Sequence, residues 1–391
     1  MAPIEYGLVL AGGGAKGIYQ IGAWRAIREL EIPITCVVGT SVGAMNGAMV
    51  ACGQYEGAVA LWENMSIEKG FSLPEPLRVP DRLFSLKNAD ILIREMWRNG
   101  GLDISPIRKE LEALVDEDAL RASPVEFGLV TFELSRRQPR HLFRDQIPRG
   151  RLMDYIMASS AYPGLKQPEI YGHKYLDGGV IDNVPVKMMM RRHPDNIIVV
   201  NIGDVGLPKG LDPKMNLVYI KPMGTAFEFR PETARTKMDM GWYDTMKAFG
   251  RFSGEWMYFP NEEYQRLRDE LGENVVKGLE HAARLYGLDK LRVCTAEEFV
   301  RELMDCDRVS AEKFAAFRSR FDLPSLLKAF YKGDFRDTDM TSDVLLQLTQ
   351  NLLNDRKERP KLLAVARRMI PDILRAAEAM CHLRGYVTGE W

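Results

Sequence analysis

One serine lies where it could act as a nucleophile. The segment Gly39-Thr40-Ser41-Val42-Gly43 matches the pattern G-x-S-x-G, in which two glycines allow a tight turn that exposes the serine hydroxyl at the N-terminus of a helix. An apolar run precedes the segment, and small and apolar residues follow it. This strand–turn–helix context predicts that Ser41 is a nucleophile; the alternative is a glycine-rich turn whose serine only caps the helix.

A second glycine-rich turn lies earlier in the chain, at Gly12-Gly13-Gly14-Ala15-Lys16-Gly17. It also matches G-x-G-x-x-G, but a dinucleotide site needs an acidic residue about 20 positions further on, at the end of the second strand. That strand ends in Val38-Gly39-Thr40-Ser41, which has no carboxylate, and no Gly-Lys-Ser/Thr triplet forms a P-loop. We therefore predict that the backbone N–H groups of this turn stabilise developing negative charge.

A serine nucleophile needs a base. The order Ser41, Asp177, His193 would match a hydrolase triad, but none of the histidines lies in a glycine-rich turn that would aim it at the serine. The five histidines are His141, His173, His193, His281 and His382. Asp177 instead ends a short strand at Asp177-Gly178-Gly179, where glycines allow another segment to approach its carboxylate. We predict that Asp177 is the base and that it is partly desolvated; Asp182 is a competitor, although residues 182–185 are more typical of a helix start.

The elements that position these residues are strands followed by helices. Apolar strands are predicted at residues 7–10 and 34–38, and each leads through a glycine turn into a helix. Two such units favour a parallel sheet covered on both faces, with both turns at the carboxyl ends of neighbouring strands. Further strands are predicted at residues 127–132, 174–176, 197–202 and 217–220, and a further helix at 154–160.

Three of these segments resemble the motifs of the patatin-like phospholipase family, in the family's order. Residues 12–17 resemble its glycine-rich oxyanion motif, residues 39–43 its nucleophile elbow, and residues 177–179 its D-G-A/G motif. Smaller matches lie at Gly101-Leu102-Asp103 with Ser105-Pro106, and at residues 158–164. The resemblance extends to about residue 250. Ala11 departs from it, because many members carry aspartate before the glycines; backbone amides supply the oxyanion groups, so we expect little effect.

The resemblance implies a Ser–Asp dyad without histidine, a three-layer α/β/α domain with a mostly parallel sheet, and hydrolysis of fatty-acyl esters in phospholipids or lysophospholipids without a metal or other cofactor. Ser41 would attack the ester carbonyl and Asp177 would take its proton. The N–H groups of Gly12, Gly13 and Gly14 would stabilise the oxyanion, and water would release the acyl-enzyme. The residues that support these motifs are Lys16, Gly17, Gly39, Gly43, Gly178 and Gly179.

Composition excludes several other classes of protein. The chain has 391 residues, of which 46% are apolar and 27% charged, and its net charge is −1. These values argue against intrinsic disorder and against the basic surface of a nucleic-acid-binding protein. The five cysteines are widely spaced without a C-x-x-C pair, so neither a disulfide framework nor a zinc site is predicted. No basic residue precedes Lys16, which argues against a secretory signal, and we expect a cytoplasmic location.

The motifs described above all lie in the first half of the chain, so the domain organisation of the rest is a separate prediction. We predict a catalytic domain at residues 1–250, with an irregular insertion at 65–98, and a helical region of unassigned role at 251–391. Helices are predicted there at residues 263–285, 295–306, 342–353 and 361–383. The length of this region supports an alternative function, a regulatory or ligand-sensing module with a vestigial patatin site.

Two further segments bear on membrane contact. Residues 32–55 carry no charge and could span a bilayer by length, but their glycines and polar residues argue against it. Seven aromatic residues between 242 and 259 fit either interior packing or an acyl-chain pocket or membrane-contacting surface. No polybasic cluster accompanies them, so transient contact with lipid would be made through apolar groups. The oligomeric state is not predicted.

Overall fold

The computed structural model describes residues 3–70, 72, 100–192, 195–222, 234–319, 340–355 and 359–389. The chain divides into two units, Met1–Phe249 and Gly250–Trp391. Most of the insertion predicted at residues 65–98 lies outside the described residues. The part that is described includes a short helix at Ile67–Gly70.

The first unit is built on a sheet that has eight strands among the described residues. The strands are β1 (Tyr6–Leu10), β2 (Ile34–Thr40), β3 (Glu126–Glu133), β4 (Gln138–Phe143), β5 (Glu169–Ile170), β6 (His173–Asp177), β7 (Asn196–Val200) and β8 (Asn216–Ile220). Strands β3, β2, β1, β7 and β8 are parallel neighbours in that order, whereas β4 and β6 pair antiparallel with β3. The predicted mostly parallel sheet is confirmed, and β4 and β5 are strands that the sequence did not predict.

Both faces of the central strands are buried, as their continuous apolar sequences predict. Along β1, Leu8 and Leu10 belong to the larger apolar core, while Val9 between them belongs to the smaller core on the opposite face. Within the described residues, the smaller core is closed by the short helix at Val186–Met189 and by apolar side chains from residues 207–217. One outer layer of this α/β/α arrangement is therefore much thinner than the other.

Helices form the thicker layer. The helices among the described residues of the first unit are α1 (Gly17–Glu29), α2 (Val42–Ala51), α3 (Tyr55–Glu63), α4 (Ile67–Gly70), α5 (Ser105–Glu112), α6 (Glu117–Ala122), α7 (Leu152–Ser159), α8 (Val186–Met189) and α9 (Ala234–Ala248). Of these, α8 belongs to the thinner layer. Helix α1 and helix α9 touch through their backbones, because a Cβ atom added to Gly22 would lie 1.8 Å from the Met238 carbonyl oxygen. The Tyr19 hydroxyl donates a 2.7 Å hydrogen bond to Asp244 across the same contact. Helix α1, which begins at the first glycine turn, is thus fixed along its length.

The uncharged segment at residues 32–55 forms β2 and helix α2. Nine of the ten residues of α2 are buried, which explains why this segment lacks charge. Among the helices that the structure describes, none is both long and apolar enough to cross a membrane.

The second unit is helical in its described part. Its helices are α10 (Asn261–Leu271), α11 (Glu273–Tyr286), α12 (Ala296–Arg318), α13 (Ser342–Asn354), α14 (Arg359–Met369) and α15 (Pro371–Thr388). Two predicted single helices are each divided. Gly272, with a φ of +86°, separates α10 from α11, and Pro371 starts a new helix because it has no N–H to continue the previous one. Helix α12 extends 12 residues beyond its predicted end at Cys306.

The aromatic residues between 242 and 259 pack separately in the two units. Phe249 packs edge-on against Tyr6 in the first unit, with ring centroids 6.2 Å apart. Phe259 is fully buried in the second unit and packs edge-on against Phe299. For these aromatics the structure favours interior packing over an acyl-chain pocket.

Candidate active site

Ser41 lies in a strained turn between β2 and α2. Its φ of +56° and ψ of −129° lie in a region that side-chain-bearing residues rarely adopt, at a cost of about 1–3 kcal/mol. A Cβ atom on Gly39 would lie 2.1 Å from the Gly43 carbonyl oxygen, and one on Gly43 would lie 2.1 Å from the Leu10 carbonyl oxygen. Ser41 is the N-cap residue of α2, but its hydroxyl makes no capping hydrogen bond. The serine is therefore held in a tight turn without serving as a helix cap.

Ser159, at the end of α7, supports this turn. The Ser41 N–H donates to the Ser159 hydroxyl at 2.9 Å, and that hydroxyl donates to the Val130 carbonyl at 2.6 Å. Ser159 is fully buried, so its hydroxyl needs these partners. In the sequence this residue belongs only to the minor motif match at residues 158–164, and its signal is a serine within a buried helical stretch.

Removal of the Ser159 hydroxyl is expected to destabilise the turn. Ser159→Ala leaves the Ser41 N–H without its acceptor, so the free energy of unfolding should fall by about 1–3 kcal/mol. Ser160→Ala is the matched control, because the Ser160 hydroxyl donates to the Ile156 carbonyl, one turn back along the chain, at 3.3 Å. Urea denaturation of both variants tests this. Equal losses of stability would show that Ser159 has no special role in the turn.

Strand β3 brings Ser41 and Asp177 together. Strand β2 runs parallel to β3 and ends with Thr40 opposite Val130. Strand β6 runs antiparallel to β3 and ends with Asp177 opposite Thr131, one residue further on. Strand β4 pairs with the other edge of β3. Strands β2 and β6 therefore pair with the same edge of β3, where their carboxyl ends meet. Gly178 follows at once, and a Cβ atom at this position would lie 2.2 Å from the Val130 carbonyl oxygen.

The Asp177 carboxyl group is only 2% exposed. Burial raises its pKa to about 6, and hydrogen bonding from the Ser41 hydroxyl and the Gly179 N–H lowers the pKa in part. The bond from the Gly179 N–H is 2.6 Å long. A carboxylate with a pKa near 6 is a far better base than an exposed aspartate and is still ionised at neutral pH. The arrangement can therefore take a proton from Ser41.

The first glycine turn lies beside Ser41. A Cβ atom on Gly12 would lie 3.1 Å from the Ser41 Cβ. The Gly12 N–H donates to the Asn183 carbonyl at 3.2 Å, so it is not free to bind an oxyanion as the sequence analysis predicted. Gly14 has a φ of +56° and open space around it. In the described part of the chain, the N–H groups of Gly13 and Gly14 have no protein acceptor, which leaves these two as donors.

The remaining motif residues have structural contacts. Gly17 lies at the start of α1, where a Cβ atom would come within 2.4 Å of a Val42 methyl group. The Lys16 ammonium group is 3.9 Å from the exposed carboxylate of Asp204. A Cβ atom on Gly179 would lie 3.0 Å from the Asp177 carboxylate. Gly17 therefore allows the two helix starts to approach each other, and Gly179 allows its N–H to reach the base.

The alternative bases are held elsewhere. His141 is 2.9 Å from the Asp182 carboxylate, and His173 is 3.4 Å from Glu133. His193 lies outside the described residues. The partners of Ser41 and Asp177 in the described part of the chain include no histidine. Nor do the described residues contain a group of three or more potential ligands that could hold a metal ion.

Residues 8–190 match the family model of patatin-like phospholipases. The match covers 183 of the 391 residues. The match includes Ser41, Asp177 and both glycine turns, and it ends before β7. The second unit lies wholly outside the match.

Curated relatives resemble the same part of the chain. A lysophospholipase of Aspergillus terreus, nte1, is 30% identical over 205 residues, which is 51% of this chain and 12% of the relative. A patatin-like phospholipase domain-containing protein of Caenorhabditis elegans is 26% identical, over 51% of this chain and 14% of the relative. An uncharacterised NTE family protein of Mycobacterium tuberculosis is 27% identical, over 59% of each chain. The chain thus spans only a fraction of the length of these relatives.

Solved structures also resemble the chain, at low sequence identity. VipD from Legionella pneumophila is 14% identical, with a TM-score of 0.42, over 98% of this chain and 90% of VipD. The type III effector ExoU is 16% identical, with a TM-score of 0.37, over 97% of this chain and 78% of ExoU.

Proposed function

We propose that this chain hydrolyses acyl esters of phospholipids or lysophospholipids. The observation that carries the proposal is the buried Asp177 carboxylate against the hydroxyl of the strained Ser41. The match of residues 8–190 to the patatin-like phospholipase model supports a lipid substrate, as does the similarity to a protein named as a lysophospholipase.

The proposed reaction passes through an acyl-enzyme. Asp177 takes the proton from the Ser41 hydroxyl as its oxygen attacks the ester carbonyl carbon. The carbonyl oxygen becomes negatively charged and accepts hydrogen bonds from the N–H groups of Gly13 and Gly14. The carbon–oxygen bond to the alcohol then breaks, and protonated Asp177 gives its proton to the leaving alkoxide. Asp177 next deprotonates a water molecule, whose oxygen attacks the acyl carbon. The bond from Ser41 to the acyl carbon then breaks, protonated Asp177 returns its proton to the Ser41 oxygen, and the fatty acid leaves.

Product analysis of defined phospholipids tests the proposal. The wild-type protein should release fatty acid and lysophospholipid or glycerophosphodiester, and a fluorophosphonate probe should label Ser41. Ser41→Ala should do neither. If the wild-type protein neither released fatty acid nor reacted with the probe, the result would favour the alternative of a regulatory module with a vestigial site.

We further propose that apolar groups around the site contact the lipid surface. Four large apolar side chains near the site are 47% to 59% exposed: Tyr162, Val180, Ile181 and Val205. Two of them follow Asp177 by three and four residues. Tyr162 is next to Ala161, whose carbonyl accepts the Asp177 N–H. Such exposed apolar groups favour insertion into a lipid surface.

Ile181→Asp is expected to separate lipid contact from chemistry. Losing an inserted side chain of this size weakens binding by about 1.5–3 kcal/mol, so hydrolysis of phosphatidylcholine vesicles should fall about tenfold or more. Hydrolysis of a soluble short-chain ester should not change. Ile4→Asp is the matched control. Ile4 is 59% exposed but precedes β1, so it lies at the amino end of this strand, whereas the glycine turn follows the carboxyl end. Equal effects of the two variants on vesicles would refute the proposed contact.

We also propose the domain assignment, with the chemistry in residues 1–250 and no assigned role for residues 251–391. A reducing compartment such as the cytoplasm is consistent with the five cysteines, which are all free. Two of them, Cys36 and Cys294, are fully buried.

A further inference from the structure

We propose that Asn183 is a positioning residue that aims the Gly13 N–H at the oxyanion. The proposal rests on the proposed hydrolase function. Asn183 binds Gly12 twice: its backbone carbonyl accepts the Gly12 N–H at 3.2 Å, and its side-chain NH₂ donates to the Gly12 carbonyl at 3.1 Å. One residue thus holds the polar groups on both sides of the Gly12 Cα.

The second of these bonds determines where the Gly13 N–H points. The Gly12 carbonyl and the Gly13 N–H belong to one planar peptide group, and in a trans peptide they point in opposite directions. No cis peptide bond occurs in the described residues. When Asn183 holds the carbonyl on one side, the N–H must point to the other side. Glycine has no side chain to restrict this peptide, so the restriction has to come from a neighbour.

The Asn183 amide is enclosed by three glycines. A Cβ atom on Gly12 would lie 2.5 Å from its Oδ1, one on Gly179 would lie 2.9 Å from the same oxygen, and one on Gly203 would lie 2.5 Å from its Nδ2. Gly179 belongs to the turn whose N–H binds the Asp177 carboxylate. Asn183 therefore lies between the glycine turn at Gly12 and the turn that follows Asp177, and it fixes the distance between these two turns.

Asn183 acts through Gly12 and not on the substrate. Its sequence context, residues 182–185, predicts only a helix start, whereas its hydrogen bonds go to Gly12. Asparagine suits the position because its NH₂ donates to a carbonyl. Aspartate has the same shape but cannot donate, and its charge would repel the Gly12 carbonyl.

The test compares Asn183→Asp and Asn183→Ala with wild-type protein on a soluble short-chain ester. Removing one oxyanion donor outright typically lowers kcat by 10²–10³-fold, so a misdirected donor should lower kcat by about 10- to 100-fold. KM should stay within about twofold, because ground-state binding does not use this donor. The affinity for an alkyl boronic acid, which forms a tetrahedral adduct with the serine, should fall in parallel with kcat.

Asn216→Ala is the control, because Asn216 bonds to Tyr6 and Asn196 at the start of β8. Its kcat should match that of the wild type. Melting temperatures and fluorophosphonate titration measure how much of each variant is folded and reactive. The proposal is overturned if kcat per reactive site is unchanged in both Asn183 variants. It is also overturned if KM changes as much as kcat does, or if the affinity for the boronic acid does not fall with kcat. If the wild-type protein itself has no Ser41-dependent activity, the proposed function fails and this proposal fails with it. If the wild-type protein is active, the Asn183 variants test the positioning role separately from the proposed function.

Discussion

Ser41→Ala is expected to lower ester hydrolysis by on the order of 10⁶-fold, the loss typical of a deleted serine nucleophile. The variant retains the turn, because Gly39 and Gly43 still provide the close backbone contacts and Ser159 still accepts the backbone N–H. Substrate binding should therefore persist while kcat is lost. Fatty-acid release from a defined phospholipid measures the effect.

Two companion variants show whether the loss is chemical. Ser160→Ala, which alters another serine in the same unit, should keep most of the activity. Ser41→Gly should be as inactive as Ser41→Ala but more stable than it by about 1 kcal/mol, because glycine adopts the φ of +56° without strain. Activity remaining in Ser41→Ala within tenfold of wild type would exclude Ser41 as the nucleophile.

Asp177→Asn is expected to lower kcat by on the order of 10⁴-fold, since the amide cannot take a proton. The wild-type enzyme should show the pH dependence of the same group. Because the pKa of Asp177 is raised to about 6, activity should fall about tenfold per pH unit below pH 6 and level off above it. Asp182→Asn is the matched control, because the Asp182 carboxylate pairs with His141 at 2.9 Å. An Asp177→Asn variant that kept the activity and pH profile of the wild type would rule out this base.

The same substitution should stabilise the protein above pH 6. The folded state binds the Asp177 proton more tightly than the unfolded chain, with a pKa of about 6 against an ordinary value of 3.8. The contribution of Asp177 to the free energy of unfolding of the wild-type protein is therefore complete below pH 4 and is lost as the pH rises to 6. At about 1.36 kcal/mol per pKa unit the loss is ~3 kcal/mol. Asparagine does not titrate, so the Asp177→Asn variant has no such loss. Its free energy of unfolding, measured by urea denaturation, should therefore increase relative to that of the wild type by this amount between pH 4 and pH 7. An advantage independent of pH would contradict the raised pKa.

The turns that carry Ser41 and Asp177 could be predicted because local sequence carries their signal. Ser41 and Asp177 each lie beside glycines at a strand end, and backbone crowding requires those glycines. Ser159 and Asn183 could not be predicted, because their partners are 118 and 171 residues away. A local pattern indicates how the backbone turns, but it does not indicate which distant group completes a hydrogen bond.

The fold could be predicted to the same extent. Strands β1, β2 and β7 have continuous apolar sequences because both faces are buried, so they were found. The sequence does not predict strand β4, because the strand begins Gln138-Pro139-Arg140 and its first two residues are exposed; a proline argues against a central strand. The breaks at Gly272 and Pro371 interrupt helices whose apolar periodicity continues on both sides, and periodicity alone does not show them.

The backbone contact between α1 and α9 sets a lower limit on the length of an autonomous catalytic fragment. The family match ends at residue 190, whereas α9 spans Ala234–Ala248. A fragment cut at the family boundary would lose β7 and β8 and uncover Gly22 on α1, the helix that begins at the glycine turn. The proposed reacting residues thus lie within the family match, but the helix that begins at the first glycine turn is supported by a later part of this chain.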